Sequence, residues 1–135
     1  MALTHLVDTS VLSRLSQKVV RATLSELAGS IGRAAMTDLE VGFSARTRAE
    51  WDRLIRALSG FDLMEIVPTD FERAGQVQRE LARRGLKGRK VPDLLIAAAA
   101  ERSDLALLHY DRDFDHIAAV TGQPCEWIVR RGTID

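Results

Sequence analysis

The sequence predicts an α/β domain in which helices cover both faces of a mainly parallel sheet. Two observations carry that expectation. Short apolar runs alternate with helical segments from one end of the chain to the other, the pattern that parallel strands joined by crossover helices produce. No internal repeat, low-complexity stretch or linker interrupts the alternation, so residues 1–135 read as one domain of ordinary size. Sheets of this kind bind ligands at the carboxyl ends of their strands, and acidic residues recur at those ends.

In chain order, "LTHLV" (3–7) reads as a short buried strand, and "SVLSRL" and "VRATLSELA" as short helices with Gly29 as a C-cap. "SIGRAAM" (30–36) is a second strand, weak in β propensity because of its alanines. "TDLEVGFSART" then starts a helix, with Thr37 and Glu40 at capping-box spacing. "AEWDRLIRALSGF" places Trp51, Leu54, Ile55 and Leu58 on one helical face, with arginines between them. "LMEIVP" (63–68) is a strand, and Asp70 or Thr69 caps the helix that runs on to about Arg84. "RRGLKGRK" is a basic loop broken by glycines, and Pro92 suits the first turn of the next helix. "LLIAAAA" is apolar on every face and so belongs in the interior. "LALLH" is a strand, "FDHIAAV" a short helix and "CEWIV" the last strand.

The totals exclude several classes. No apolar run approaches the ~20 residues of a membrane span, and "MALTHLVDTS" lacks the basic start and long apolar core of a signal peptide. A cytoplasmic location is expected. Cys125 is the only cysteine, which rules out an internal disulfide and reads as an inert thiol. The formal net charge is +0, so any case for nucleic acid must rest on where the charges sit.

The chemistry concentrates in carboxylates. Asp8 follows the first strand, Glu40 lies in the first turn after the second, Asp93 opens the apolar helix and Asp111 follows "LALLH". Each has an ordinary reading taken alone. Asp8 could cap a helix, Glu40 could return a capping bond to Thr37, Asp93 could favour a helix dipole and Asp111 could sit in a turn. Asp93 fits its ordinary reading least, because the helix behind it is buried and a buried carboxylate needs a partner. Acids at corresponding ends of alternating elements are better read together, as oxygen ligands for a hard divalent cation. In "LLHYDRDFDHI" (107–117), Asp111 and Asp113 can face one pocket, while Asp115 falls on the solvent side of the helix. The histidines His5, His109 and His116 lack zinc-site spacing. His5 and His109 read as satisfied strand residues.

A cation held by carboxylates suits phosphate chemistry. Asp8-Thr9-Ser10 lacks the second aspartate of a dehalogenase-type phosphatase. The lysines, Lys18, Lys87 and Lys90, do not follow a late strand as a receiver domain requires. A phosphate-binding glycine loop and a serine nucleophile elbow are also missing. A nuclease remains.

Four segments, "LVDTSVL" (6–12), "MTDLEVGFSAR" (36–46), "VPDLLIAAAA" (91–100) and "LLHYDRDFDHIA" (107–118), together resemble the PIN-domain ribonucleases, most closely the VapC-type toxins of bacterial toxin–antitoxin pairs. They span nearly the whole chain in the family's order. The resemblance implies a three-layer α/β/α sandwich and Mg²⁺-dependent cleavage of RNA, with Mn²⁺ as the other ion. It implies inhibition by a cognate VapB-type antitoxin, and assembly as a homodimer or a heterooligomer with that antitoxin. Carried over by position, the acids are Asp8, Glu40, Asp93 and Asp111, with Asp113 as a fifth. Asp8, Asp93, Asp111 and Asp113 would bind the cation, Glu40 would ligate or act as base toward the attacking water, and Thr9 or Ser10 would support Asp8. The stretch "RELARRGLKGRK" (79–90) leads straight to Asp93, and its Arg83, Arg84 and Lys87 are candidate RNA contacts. The Trp51, Leu54, Ile55 and Leu58 face is a core surface or a grip for antitoxin. Two rival readings are a non-catalytic module that binds RNA or antitoxin, and an RNA-processing nuclease without antitoxin.

Overall fold

The computed structural model describes residues 2–27 and 29–135. Five parallel strands form one sheet in the order β3-β2-β1-β4-β5. They are β1 (His5–Val7), β2 (Ile31–Ala34), β3 (Asp62–Met64), β4 (Ala106–His109) and β5 (Cys125–Trp127). The described helices are α1 (Thr9–Leu12), α2 (Lys18–Glu26), α3 (Ala35–Gly42), α4 (Arg48–Ala57), α5 (Pro68–Arg83), α6 (Val91–Arg102) and α7 (Asp113–Thr121).

Alternation along the strands builds two cores. Leu6 is paired in register with Leu107, and Val7 with Leu108. Successive side chains point to opposite faces, so Leu6 and Leu107 join the core beneath α5, α6 and α7, built from Leu81, Ile96, Phe114 and Ile117. Val7 and Leu108 join the core on the other face, with Val11, Val20, Leu24 and Leu58. The three layers of the expected sandwich follow from this division. The chain first winds outward from β1 to β3 over one face, then crosses through α5 and α6 to β4 on the far side of β1. The sheet order therefore reverses between β1 and β4, and a crevice at such a reversal is where parallel sheets bind ligands.

Local signals differ from the expected elements in several places. β2 passes directly into α3, whose N-cap is Ala34. Thr37 consequently lies inside the helix, fully buried, and the capping box with Glu40 does not form. Val67, not Thr69 or Asp70, is the N-cap of α5. Asp70 sits in the first turn, accepts the Val67 backbone N–H at 2.9 Å and pairs with Arg102. β3 stops at Met64 because its partner β2 ends at Ala34. The C-cap of α2 is Leu27, and Gly29 takes the left-handed backbone (φ 83°) two residues later. Ala28, assigned from sequence to that helix, lies outside the described residues. α6 meets the expectation of a buried helix: Leu94 through Ala100 are all buried.

A candidate metal and catalytic site

Asp8 leaves the end of β1 and caps α1, accepting the Ser10 backbone N–H at 2.9 Å. The Ser10 hydroxyl in turn accepts the Tyr110 backbone N–H at 2.9 Å, which binds the start of α1 to the chain just beyond β4. The next residue, Asp111, accepts the Asp113 backbone N–H at 2.9 Å, so the turn into α7 carries two carboxylates side by side. Asp113 is the first residue of α7, one position further into the helix than its sequence suggested. Asp93 comes from the first turn of α6, which packs over the same core as α7. One carboxylate oxygen each of Asp93, Asp111 and Asp113 lies within 4.8 Å of the others.

Asp8 and Asp93 are 5 % and 7 % exposed. Among the described residues, three buried side-chain atoms lack a hydrogen-bond partner: Thr37 Oγ1, Asp93 Oδ2 and His109 Nε2. An ionised oxygen buried without a partner is costly, and a cation is the group whose charge offsets that cost. Burial, followed by the charges of Asp8 and Asp111, pushes the Asp93 carboxyl up to about 7, and Lys90 opposes the shift. Burial also raises Asp8, against the hydrogen bonds from Ser10 and Thr9, with Asp111 adding to the rise. Glu40 reaches the site from α3 and is held by the Thr9 hydroxyl, which donates to it at 2.8 Å. Its carboxyl is raised first by removal from water and then by Asp8. Asp8 lies outside the close set of three oxygens, yet its charge acts on Asp93 and Glu40 and feels Asp111. An all-oxygen donor set of this kind fits Mg²⁺ or Mn²⁺.

Sequence reasoning singled out neither Lys90 nor His109 for this site. Lys90 Nζ stands 3.8 Å from Asp111 and 3.9 Å from Asp113, and so offsets part of the cluster's charge. Its signal was available, since it is the last cation of the basic loop and lies three residues before Asp93. His109 Nδ1 accepts the Asp111 backbone N–H at 3.2 Å, while the ring packs against Phe114 and Trp127. Its Nε2 is unpartnered, so the expected satisfied strand histidine is only half satisfied. Burial lowers its pKa to about 4. Asp115 is exposed, as expected of the solvent face, and accepts the Trp127 indole N–H at 3.1 Å. Burial pushes the Cys125 thiol up to about 12, in keeping with an inert residue.

The basic loop bends at Gly88, buried at φ 91°, where an added Cβ would meet the Asp113 carbonyl oxygen at 2.9 Å. Gly88→Ala is expected to cost about 1–3 kcal/mol through backbone strain and displacement of that carbonyl. Thermal melts should show the loss, and titration with Mg²⁺ should show a weakened response because Asp113 has moved. An unchanged melt would mean that the loop adapts freely. Arg83 and Arg84 both pair with Glu80, whereas Lys87 is exposed. Of the face singled out on α4, Leu58 is buried, Leu54 and Ile55 are half-buried and Trp51 is exposed. Leu39 on α3 and Phe43, the C-cap of α3, are exposed as well, Phe43 to 91 %.

The PIN domain family model matches residues 5–120. The chain is 58 % identical to Ribonuclease VapC51 of Mycobacterium tuberculosis over the whole of both chains. A toxin–antitoxin complex from Klebsiella pneumoniae contains a similar chain, with TM-score 0.69 and 25 % identity, covering 82 % of this chain and 90 % of that one. The DNA-bound VapBC of Salmonella typhimurium contains a chain of the same fold, with TM-score 0.76 and 19 % identity, covering 94 % and 99 % of the two chains.

Proposed function

This chain belongs to the PIN-domain family, and from that membership and its carboxylate cluster we propose that it is a VapC-type endoribonuclease toxin inhibited by a cognate antitoxin. The observation that carries the proposal is the buried, unpartnered Asp93 Oδ2 within a set of three convergent carboxylates. Asp93, Asp111 and Asp113 would hold a divalent cation, Mg²⁺ or alternatively Mn²⁺. When bound, the cation supplies charge neutralisation at the RNA phosphodiester and makes water a better nucleophile.

The chain's own residues do the rest. Asp8 adds negative charge beside Asp93 and Asp111 and raises their affinity for a cation. Glu40, oriented by Thr9 and raised in pKa, takes the proton from the attacking water. Lys90 holds the cluster together when the cation is absent and can turn to a phosphate when it is present. Arg83, Arg84 and Lys87 contribute more distantly to RNA attraction.

The decisive experiment is RNA cleavage by antitoxin-free protein with Mg²⁺, Mn²⁺ or EDTA. Metal-dependent scission supports the proposal. A folded, cation-binding protein that cuts no RNA class would point instead to a binding module. No helix among the described residues is long and apolar enough to cross a membrane, and we place the protein in the cytoplasm with its RNA targets. The antitoxin would dock on the exposed apolar surface of Leu39 and Phe43, which borders Glu40, and on the exposed Trp51 of α4. Phe43→Ala is expected to weaken antitoxin affinity about tenfold or more, the scale of an aromatic anchor. Calorimetric titration with the antitoxin would read the change, and an unaltered Kd would move the docking surface elsewhere.

A further inference from the structure

A groove of about 430 Å³ opens beside the acidic cluster, and Asp111 belongs to both. That volume is within the roughly 300–1,000 Å³ typical of small-ligand sites, enough for a nucleotide-sized part of a strand. Arg14, Tyr110, Arg112, Trp127 and Arg131 line it, and the reaction just described uses none of them. Two of these arginines, Arg14 and Arg131, lie over aromatic rings. The Arg14 guanidinium lies 4.8 Å from the Tyr110 ring centroid and that of Arg131 5.9 Å from Trp127, while the two rings meet edge to face at 5.4 Å.

Arg14 is already engaged. Its Nη1 donates to the Ser10 carbonyl at 2.7 Å, while Nε and Nη2 donate to the Asp135 carboxylate at 3.1 and 2.8 Å. The Tyr110 hydroxyl fastens the segment that carries Asp135, donating to the Ile134 carbonyl and accepting the Gly132 and Ile134 backbone N–H groups. A forked pair between arginine and a carboxylate has the geometry that arginine also offers to a phosphate. Both partners retain solvent contact, and exposed pairs of this kind are weak and exchangeable.

We infer that this groove is the subsite for the RNA strand next to the scissile phosphate, with Arg14 and Arg131 as its phosphate contacts and the Asp135 carboxylate as a stand-in that RNA displaces. The inference rests on the ribonuclease reading above and adds the path of the substrate. Continuity with Asp111 favours RNA over an acidic peptide, because a strand lying in the groove continues into the reacting centre.

The test uses the full chain carrying Asp93→Asn, so that RNA stays intact, and a labelled single-stranded oligoribonucleotide followed by fluorescence anisotropy with Mg²⁺. Arg131→Gln is expected to weaken binding about fivefold and to reduce the salt slope by about 0.7, the value for one phosphate contact on a single strand. Asp135→Asn is expected to tighten binding about two- to fivefold by freeing Arg14, a gain that misfolding does not produce. In the chain that retains Asp93, Asp135→Asn should lower KM for RNA. Unchanged affinity and salt slope in both variants overturn the inference. Unchanged RNA binding with weakened antitoxin binding also overturns it and assigns the groove to antitoxin. If the chain with Asp93 cleaves RNA while the variants behave alike, only the groove assignment fails. If it neither cleaves nor binds RNA, the ribonuclease reading fails as well.

Discussion

Asp93→Asn is expected to reduce metal-dependent RNA cleavage by about three orders of magnitude, equivalent to roughly 4 kcal/mol of lost transition-state stabilisation, without unfolding the protein. The substitution keeps the side chain's shape and removes its charge. Asp93 is 7 % exposed, and its Oδ2 has no partner, so the fold has little to lose from an amide there. Asp8→Asn makes a useful contrast. The Asp8 carboxylate accepts the Ser10 N–H as the cap of α1, a role that asparagine also fills, so this variant should retain its fold while weakening the field at Asp93. Cleavage rates and melting temperatures, measured together with and without Mg²⁺, separate chemistry from stability. An Asp93→Asn protein that keeps a tenth of the parent activity would remove Asp93 from the cation site. One that loses activity because it no longer folds would assign the residue a structural role instead.

The second large effect is on stability. The Asp93 carboxyl sits at about 7 in the folded chain, against 3.8 as its ordinary value. A carboxyl raised on folding favours the native state while both forms are protonated, and the advantage is lost as pH rises through the folded value. Between pH 4 and pH 7 the unfolded chain ionises and the folded one resists, a penalty of up to roughly 4 kcal/mol. Asp8 and Glu40 shift in the same direction. His109 runs the other way. Its folded pKa is depressed to about 4 from 6.5, so its contribution is present at neutral pH and is lost as pH falls through that window. The parent's own melting curve therefore sums opposing effects. The difference between cation-free Asp93→Asn and parent isolates the one residue, and it should grow from near zero at pH 4 to its full size at pH 7, in favour of asparagine. Millimolar Mg²⁺ at pH 7.5 should then raise the melting temperature of the parent, because a ligand that binds only the native state stabilises it, and leave the variant nearly unmoved. A difference independent of pH would show that the Asp93 carboxyl is not perturbed by its surroundings.

Both expectations rest on residues that could be picked out in the sequence, though only some of their relations could. The alternation of short apolar runs and helices was legible because strand and helix periods are local properties of the chain. So was the burial of α6, since a helix apolar on every face has nowhere else to go. The acids at the strand ends were legible as a set because the parallel-sheet pattern assigns each strand a carboxyl end. The capping-box spacing of Thr37 and Glu40 yields no capping box, for an equally physical reason. Spacing alone does not say where a helix starts, and β2 runs into α3 early enough to bury Thr37 and to leave Glu40 for Thr9.

By itself, the sequence determined the kind of domain, the identities of the clustered carboxylates and the chemistry that oxygen ligands favour. Tertiary structure alone decided how they meet. It set β1 beside β4, joined Ser10 to Tyr110 across the sheet's reversal, brought Asp93 within reach of Asp111 and Asp113, and placed Lys90 as their counter-ion. It also opened the arginine-lined groove beside Asp111. Periodicity and charge are written residue by residue, but convergence depends on which distant strands pair, and that choice is made by the packing of two cores on opposite faces of the sheet.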